Sequence, residues 1–281
     1  KETVVKYNKT ETVDNIRHIQ HPIARQLLLD HGLDGVEIVS TADIPSGTGL
    51  STSSAYTVGL IHAIHAFKGK YCSQERIARE ACELEIEKLG EPIGKQDQYG
   101  TAVGGLKFIR FLPDETVDVQ PLPVKRSTMK ALDENLLLFY TGLTHSAGEI
   151  LKEQNKNVAS EDEKFQNLVK MTQLAYEMRD ALLEDDLNGF GRILNENWEL
   201  KRQLASKISN DIVEKYYRIA MESGALGGKL LGAGGGGFLL FYCPKEHQKR
   251  LRAALSDLVE LPFEMENGGT KIVYVGEKDW D

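Results

Sequence analysis

Residues 44–55 read IPSGTGLSTSSA, and the apolar helical pattern of Ser53–Phe67 begins inside them without a break. Glycines at 47 and 49 let the backbone take φ > 0 and come close to a ligand, while Ser51, Thr52, Ser53 and Ser54 add hydroxyls and helix-start amides. The unpaired N–H groups of a first helical turn and the helix macrodipole both favour an anion there. A phosphate cradle is the reading. It is not a P-loop, because no Gly-Lys-Ser or Gly-Lys-Thr closes it, and its glycine spacing differs from the dinucleotide-binding fingerprint.

With its residues spelled out, Pro45-x-x-x-Gly49-Leu50-Ser51-x-Ser53-Ser54-Ala55 resembles the second signature of the GHMP small-molecule kinases, named for galactokinase and for homoserine, mevalonate and phosphomevalonate kinases. Two further segments match in the expected order. LEIEKLGEPIGKQDQYG at 84–100 resembles the family's carboxylate-bearing segment, and KLLGAGGGGFLLFY at 229–242 its C-terminal glycine-rich signature. The resemblance implies a two-domain α+β protein, with an N-terminal α/β domain like the second domain of ribosomal protein S5 and a C-terminal ferredoxin-like α+β domain carrying a layer of long helices. It also implies an ATP- and Mg2+-dependent kinase. Gly47, Gly49, Leu50, Ser51, Thr52, Ser53 and Ser54 would hold the ATP phosphates, Ser54 and Glu85 the magnesium, and Asp97, in the Gly94-x-x-Asp97-Gln98 pattern, would be the catalytic carboxylate. Lys95 beside it could touch phosphate or lower the Asp97 pKa. Gly234, Gly235 and Gly236 would lie against phosphate and substrate.

Those assignments suit what phosphoryl transfer needs: a phosphate cradle, a hard cation with oxygen ligands, and a group that orients or deprotonates the attacking hydroxyl. Read alone, the same residues have plainer uses. Glu85 is one of four carboxylates among Glu80, Glu83, Glu85 and Glu87 on a solvated helix, Asp97 could cap a turn, and the glycine run could be a hairpin that merely packs on the 45–55 loop, which it should face across a cleft. Thr144 and His145, in YTGLTHSAGEIL at the end of a strand, are candidates for sugar or phosphate contacts, with helix capping by Thr144 or Ser146 as the alternative. His62 and His65 have i,i+3 spacing but no evident Cys or acidic co-ligand, and read as core histidines, as do His18 and His21.

Among GHMP kinases, the combination of GTGLSTSSA, GKQDQYGTAVGGL, YTGLTHSA and KLLGAGGGGFLLFY looks most like the sugar-kinase branch that includes D-glycero-D-manno-heptose 7-phosphate kinases, with fucokinase domains as relatives. That resemblance implies phosphorylation of an anomeric hydroxyl to give a sugar 1-phosphate, on a route to an activated nucleotide sugar. Other kinases of the fold, acting on fucose, galactose or mevalonate, and a sensor that binds ATP and sugar without turnover, are the alternatives. The family's first signature has no match before Val36, and the chain starts at Lys1, so that signature is expected upstream.

The bulk properties agree. The chain has 281 residues, 41% of them hydrophobic, and a formal charge of −8, which disfavours nucleic acid or an anionic membrane as partner. Cys72, Cys82 and Cys243 form no CxxC pair, no run of 18 apolar residues occurs, and the amino end is not a targeting peptide, so a cytoplasmic protein with reduced thiols is expected. ATP and a small sugar phosphate are the expected partners; a homodimer stays open. Domains are expected at 1–145 and 146–281. Strands are expected at Thr3–Tyr7, Val36–Ser40, Leu106–Phe111, Val117–Val119, Leu136–Tyr140, Lys229–Leu231, Phe238–Tyr242, Leu261–Met265 and Ile272–Val275, one helix at Ser73–Leu89, and long helices from Ala147 to about Ser223.

Overall fold

The computed structural model of the chain describes residues 2–143 and 147–276. These fall into two compact units. One gathers the chain up to Pro45, Ser51–Gly105 and the chain from Glu266 on; the other gathers Ser46–Leu50 and Leu106–Met265. The packing therefore divides the chain after Gly105 and not at 145/146. The reason lies in the strand Leu136–Tyr140, which pairs with later strands and so belongs with them.

In the first unit, β1 (Thr3–Lys6) pairs antiparallel with β2 (Thr10–Val13) and parallel with β3 (Glu37–Val39), in the order β2-β1-β3. Between β2 and β3 runs α1 (Pro22–His31). Proline sits in its first turn, the His21 ring accepts a hydrogen bond from the Ala24 N–H at 3.4 Å, and Gly32 closes the helix at φ 59. His21 thus serves as a cap, and His18 is exposed. α2 (Thr52–Phe67) buries Thr57, Val58, Leu60, Ile61 and Ile64, as its nearly all-round apolar pattern requires. It packs with α3 (Gln74–Cys82), which starts at the Ser73 cap, and with α4 (Gln96–Ala102).

The helix expected to run unbroken to Leu89 does not. After Cys82 the chain widens into a π-helical turn, Glu83–Lys88, in which the Leu89 N–H donates five residues back to the Leu84 carbonyl at 3.0 Å. Such turns insert one residue into a helix and rotate the side chains that follow.

The second unit opens with the hairpin β4 (Lys107–Phe111) and β5 (Val117–Pro121), then α5 (Arg126–Asn135) and β6 (Leu136–Tyr140). Four helices follow: α6 (Ala147–Ser160), α7 (Asp162–Leu183), α8 (Leu187–Lys201) and α9 (Asp211–Glu222). β7 (Gly227–Leu230), β8 (Phe238–Tyr242), α10 (Lys245–Ala254) and the two-residue β9 (Val259–Glu260) complete it. The sheet is antiparallel in the order β7-β8-β6-β9.

Alternation along β8 assigns its side chains. Leu239 and Phe241 join Leu137, Phe139, Trp198 and Tyr217 in one apolar cluster, whereas Tyr242 joins Leu132, Leu182, Phe190 and Leu194 in another. Both faces of the strand are covered, so FLLFY is apolar throughout. Leu261–Met265 and Ile272–Val275 do not form strands. β9 stops at Glu260 after pairing with Phe139 and Tyr140, and the side chains of Ile272–Val275 are exposed, with Val273 at 91%. Among the described residues no helix is long and apolar enough to cross a membrane.

Candidate functional site

The 45–55 segment adopts an unusual backbone. Gly47 has φ 75, Gly49 φ 81 and Ser51 φ 54, while Thr48 and Leu50 between them are not in the positive-φ region. Where left-handed residues alternate with right-handed helical ones, successive N–H groups can turn to one side and form an anion-binding concavity. Ser51 is not glycine, so its left-handed conformation carries a cost that the surrounding structure must hold in place. It also caps α2 without a side-chain hydrogen bond to the first-turn amides. The first turn of α2 brings Thr52, Ser53 and Ser54, of which Ser54 is buried and Ser53 exposed.

The glycine run meets this loop from within the second unit. A Cβ on Gly232 (φ 78) would lie 2.6 Å from the Gly49 Cα, and one on Gly49 would run into the Leu231 carbonyl group. Gly234 packs on Ile208 and Gly236 on Leu143. The Gly235 N–H donates to the Ile208 carbonyl at 2.9 Å and the Gly237 N–H to the Leu143 carbonyl at 2.8 Å. Close backbone packing thus accounts for glycine at 232, 234 and 236. Beside Gly235, whose carbonyl accepts from the Asn210 amide at 2.9 Å, is a cavity of about 400 Å3 lined by Glu149, Ile150, Ser206, Lys207, Ser209 and Asn210.

Glu85 lies in the π-helical turn and is 1% exposed, unlike the solvated carboxylate its neighbours suggest. Three hydroxyls of α2 donate to it: Ser53 at 3.2 Å and Thr57 at 2.9 Å to Oε1, and Ser54 at 3.0 Å to Oε2. The Gln98 amide of α4 donates to Oε2 as well. Residues 53, 54 and 57 share one helix face, which is why they converge on one carboxylate. Among the described residues no Lys, Arg or His forms an ion pair with Glu85. The donation from its amide leaves the Gln98 Oε1 buried without a hydrogen-bond partner. A buried carboxylate ringed by hydroxyls and an orphaned carbonyl beside it form an oxygen-rich pocket, which suits a hard cation. Mg2+ therefore fits the residues present, with Glu85, Ser54 and the Gln98 carbonyl as the available oxygens.

Asp97 and Lys95 sit around the start of α4. Lys95 is its N-cap residue and half-buried; Asp97 is in the first turn and exposed. Asp97 precedes Gln98 directly, so the two side chains leave the helix about 100° apart. The Thr101 hydroxyl donates to the Asp97 backbone carbonyl at 2.8 Å. Thr144 and His145 fall outside the described residues. Just before them, the Thr141 hydroxyl donates to the Gly237 carbonyl at 2.8 Å, tying the end of β6 to the glycine loop.

Sequence reasoning did not assign Thr57 or Gln98 a role. Thr57 could have been found from its position one helical turn after Ser53 and Ser54, and Gln98 from its place beside Asp97 in a motif already recognised.

A family model described as GHMP kinases N terminal domain matches residues 17–105, and one described as GHMP kinases C terminal matches residues 178–261. The chain is 34% identical over 214 residues to a D-glycero-alpha-D-manno-heptose 7-phosphate kinase of Campylobacter jejuni, covering 76% of this chain and 63% of that protein. It is 30% identical over 237 residues to a bifunctional fucokinase/GDP-fucose pyrophosphorylase of Arabidopsis thaliana, covering 83% of this chain and 22% of that protein. The chain thus spans less than two thirds of either relative. The solved structure of a D-glycero-D-manno-heptose 1-phosphate kinase from Bacteroides thetaiotaomicron superposes with a TM-score of 0.72 at 24% identity, over 97% of this chain and 84% of the other. At that identity the likeness bears on the fold.

Proposed function

Because the chain belongs to the GHMP kinase family, we propose that it is an ATP- and Mg2+-dependent sugar kinase that phosphorylates the anomeric hydroxyl of D-glycero-D-manno-heptose 7-phosphate. The observation that carries the kinase reading is the buried Glu85 carboxylate, held by the α2 hydroxyls and left without an ion pair among the described residues. The heptose is favoured by the likeness to the Campylobacter jejuni D-glycero-alpha-D-manno-heptose 7-phosphate kinase. An ATP-consuming step toward a nucleotide sugar belongs in the cytoplasm, where its co-substrate is made.

In this account the amides and hydroxyls of Gly47–Ser54 hold the triphosphate at the start of α2. Glu85 and Ser54 supply oxygens to Mg2+, with Thr57 and Ser53 fixing the orientation of the Glu85 carboxylate. Bound magnesium would neutralise charge on the β- and γ-phosphate oxygens. Asp97 takes the proton of the sugar hydroxyl, or holds that oxygen in line, as the nucleophile attacks. Lys95, the N-cap residue of α4, is assigned to the phosphate. Gly234–Gly236, Thr144 and His145 are assigned to the sugar or phosphate side. Neutralising a transferring phosphoryl group and positioning the hydroxyl are the two tasks phosphoryl transfer asks of a protein.

ADP release tests it. The purified protein, assayed with ATP and Mg2+ against heptose 7-phosphate, fucose, galactose and mevalonate, should turn over fastest with the heptose phosphate. A faster rate with another alcohol would overturn the substrate and leave the mechanism; binding of ATP and sugar without ADP release would favour a sensor.

A further inference from the structure

The two histidines of α2 have company that their spacing in the sequence does not disclose. His65, in the last turn of α2, meets Cys72 from the α2–α3 connection and Glu80 from α3, and one ligand atom from each lies within 4.8 Å of the other two. The His65 Nε2 and Glu80 Oε2 are 2.7 Å apart. His65 and Cys72 are 6% and 5% exposed. Among the described residues the Cys72 thiol has no hydrogen-bond partner, although it shares its pocket with an imidazole and a carboxylate. Glu80 is the open side: about a quarter of its side chain is exposed, and its other oxygen accepts from the Arg76 Nε at 2.8 Å.

A buried free cysteine is usually a small apolar filler. An apolar filler would be expected among apolar side chains, whereas this sulfur sits with nitrogen and oxygen donors. Thiolate, imidazole and carboxylate together form a borderline-soft set that suits zinc and suits magnesium or calcium poorly. Tetrahedral bonds of about 2.0–2.3 Å place such ligands roughly 3.3–3.7 Å apart. The His65–Glu80 pair must therefore open by somewhat under 1 Å and the sulfur close by at most about 1 Å, which side-chain rotation can supply.

We propose that His65, Cys72 and Glu80 form a Zn2+ site, with water as the fourth ligand on the Glu80 side. Binding sends the thiol proton to solvent as the zinc–sulfur bond forms, the proton held between the His65 Nε2 and the Glu80 Oε2 moves to the His65 Nδ1 or to solvent, and the metal takes its place between the imidazole and the carboxylate. The ion ties the end of α2 to α3 across Lys68–Ser73. α2 carries the hydroxyls on Glu85, and α3 runs into the π-helical turn that carries Glu85 itself. The zinc site uses none of the Glu85 ligands, so the two sites can be tested separately.

The test is a titration of the chelator-stripped full chain with Co2+, read by the ultraviolet charge-transfer band that only a thiolate–cobalt bond gives, followed by displacement with Zn2+. One equivalent should develop the band, and zinc should raise the melting temperature. Cys72→Ser should abolish the band and weaken zinc by more than the ~10–100-fold that loss of an outer-shell partner costs. Glu80→Gln, on an accessible helix position, should weaken zinc and shrink the zinc-dependent melting shift even if Cys72→Ser folds poorly. Glu85→Gln should keep the band. Absence of the band in the parent chain, or an undiminished band in Cys72→Ser, would overturn the assignment, as would a zinc-dependent melting shift unchanged in Glu80→Gln.

Discussion

Thr57→Val removes one hydroxyl and almost no volume, at a position that is fully buried. That hydroxyl lies 2.9 Å from the Glu85 Oε1 and 3.1 Å from the Ser53 carbonyl, and its single proton can serve one of them at a time. Donation to the carboxylate is the stronger of the two, because hydrogen bonds to an ionised acceptor contribute about 1.5–3 kcal/mol. At about 2–4 °C per kcal/mol for a chain of this length, the melting temperature should fall by roughly 3–12 °C. If Glu85 ligates Mg2+, Thr57 is an outer-shell partner, and the Mg2+ concentration for half-maximal ADP release should rise about 10–100-fold. Thr57→Ser keeps the hydroxyl and should stay close to the parent in its Mg2+ requirement. A Thr57→Val protein that lost stability but titrated with Mg2+ like the parent would show that Glu85 is a structural carboxylate and would refute the metal assignment. One unchanged in both would refute the hydrogen bond.

Gly232→Ala combines a left-handed backbone with a Cβ 2.6 Å from the Gly49 Cα, and should destabilise by about 2–5 kcal/mol; thermal melting reads the loss, and the ATP KM should rise as the 46–50 loop shifts. Burial, with Lys229 adding to it, pushes the Lys201 ammonium down to about 8 from an ordinary 10.5. Between those two values the unfolded chain keeps a proton that the folded chain has released, so this residue makes stability climb as pH rises from about 8 to 10.5. Below that window the folded state bears the whole cost of the buried charge. Lys201→Met should therefore melt higher than the parent at pH 7, by at most about 3 kcal/mol less the lost hydrogen bond to Gln154, and the difference should shrink by pH 10.

Local signals carried part of this account. Gly47, Gly49 and the unbroken apolar run after them announced a ligand loop at a helix start, and the positive φ values at 47 and 49 follow that reading. Glu85 was legible only through its motif register, because ELEIEK looks like any solvated helix. Its burial depends on the π-helical turn, which tertiary packing decides and local propensity does not. α5 was missed because RSTMKALDEN is polar and short, and the strands at 261–265 and 272–275 were over-read because β-branched residues make a strand only beside a partner. His65, Cys72 and Glu80 are separated by seven and eight residues across a helix, a loop and a second helix, so no spacing rule connects them. The glycine run is expected to face Gly47–Ser54 across a cleft, whereas at Gly232 and Gly49 the two backbones pack directly on each other.

The central claim is a phosphoryl transfer from ATP to an anomeric hydroxyl with Asp97 at the reacting oxygen. Phosphorus NMR of the protein with ATP, Mg2+ and heptose 7-phosphate tests it most directly. The account predicts a new sugar-phosphate signal coupled to the anomeric proton, appearing together with ADP and nearly absent for an Asp97→Asn protein that melts like the parent. Release of inorganic phosphate without that signal, or equal rates for the parent and Asp97→Asn, would contradict it.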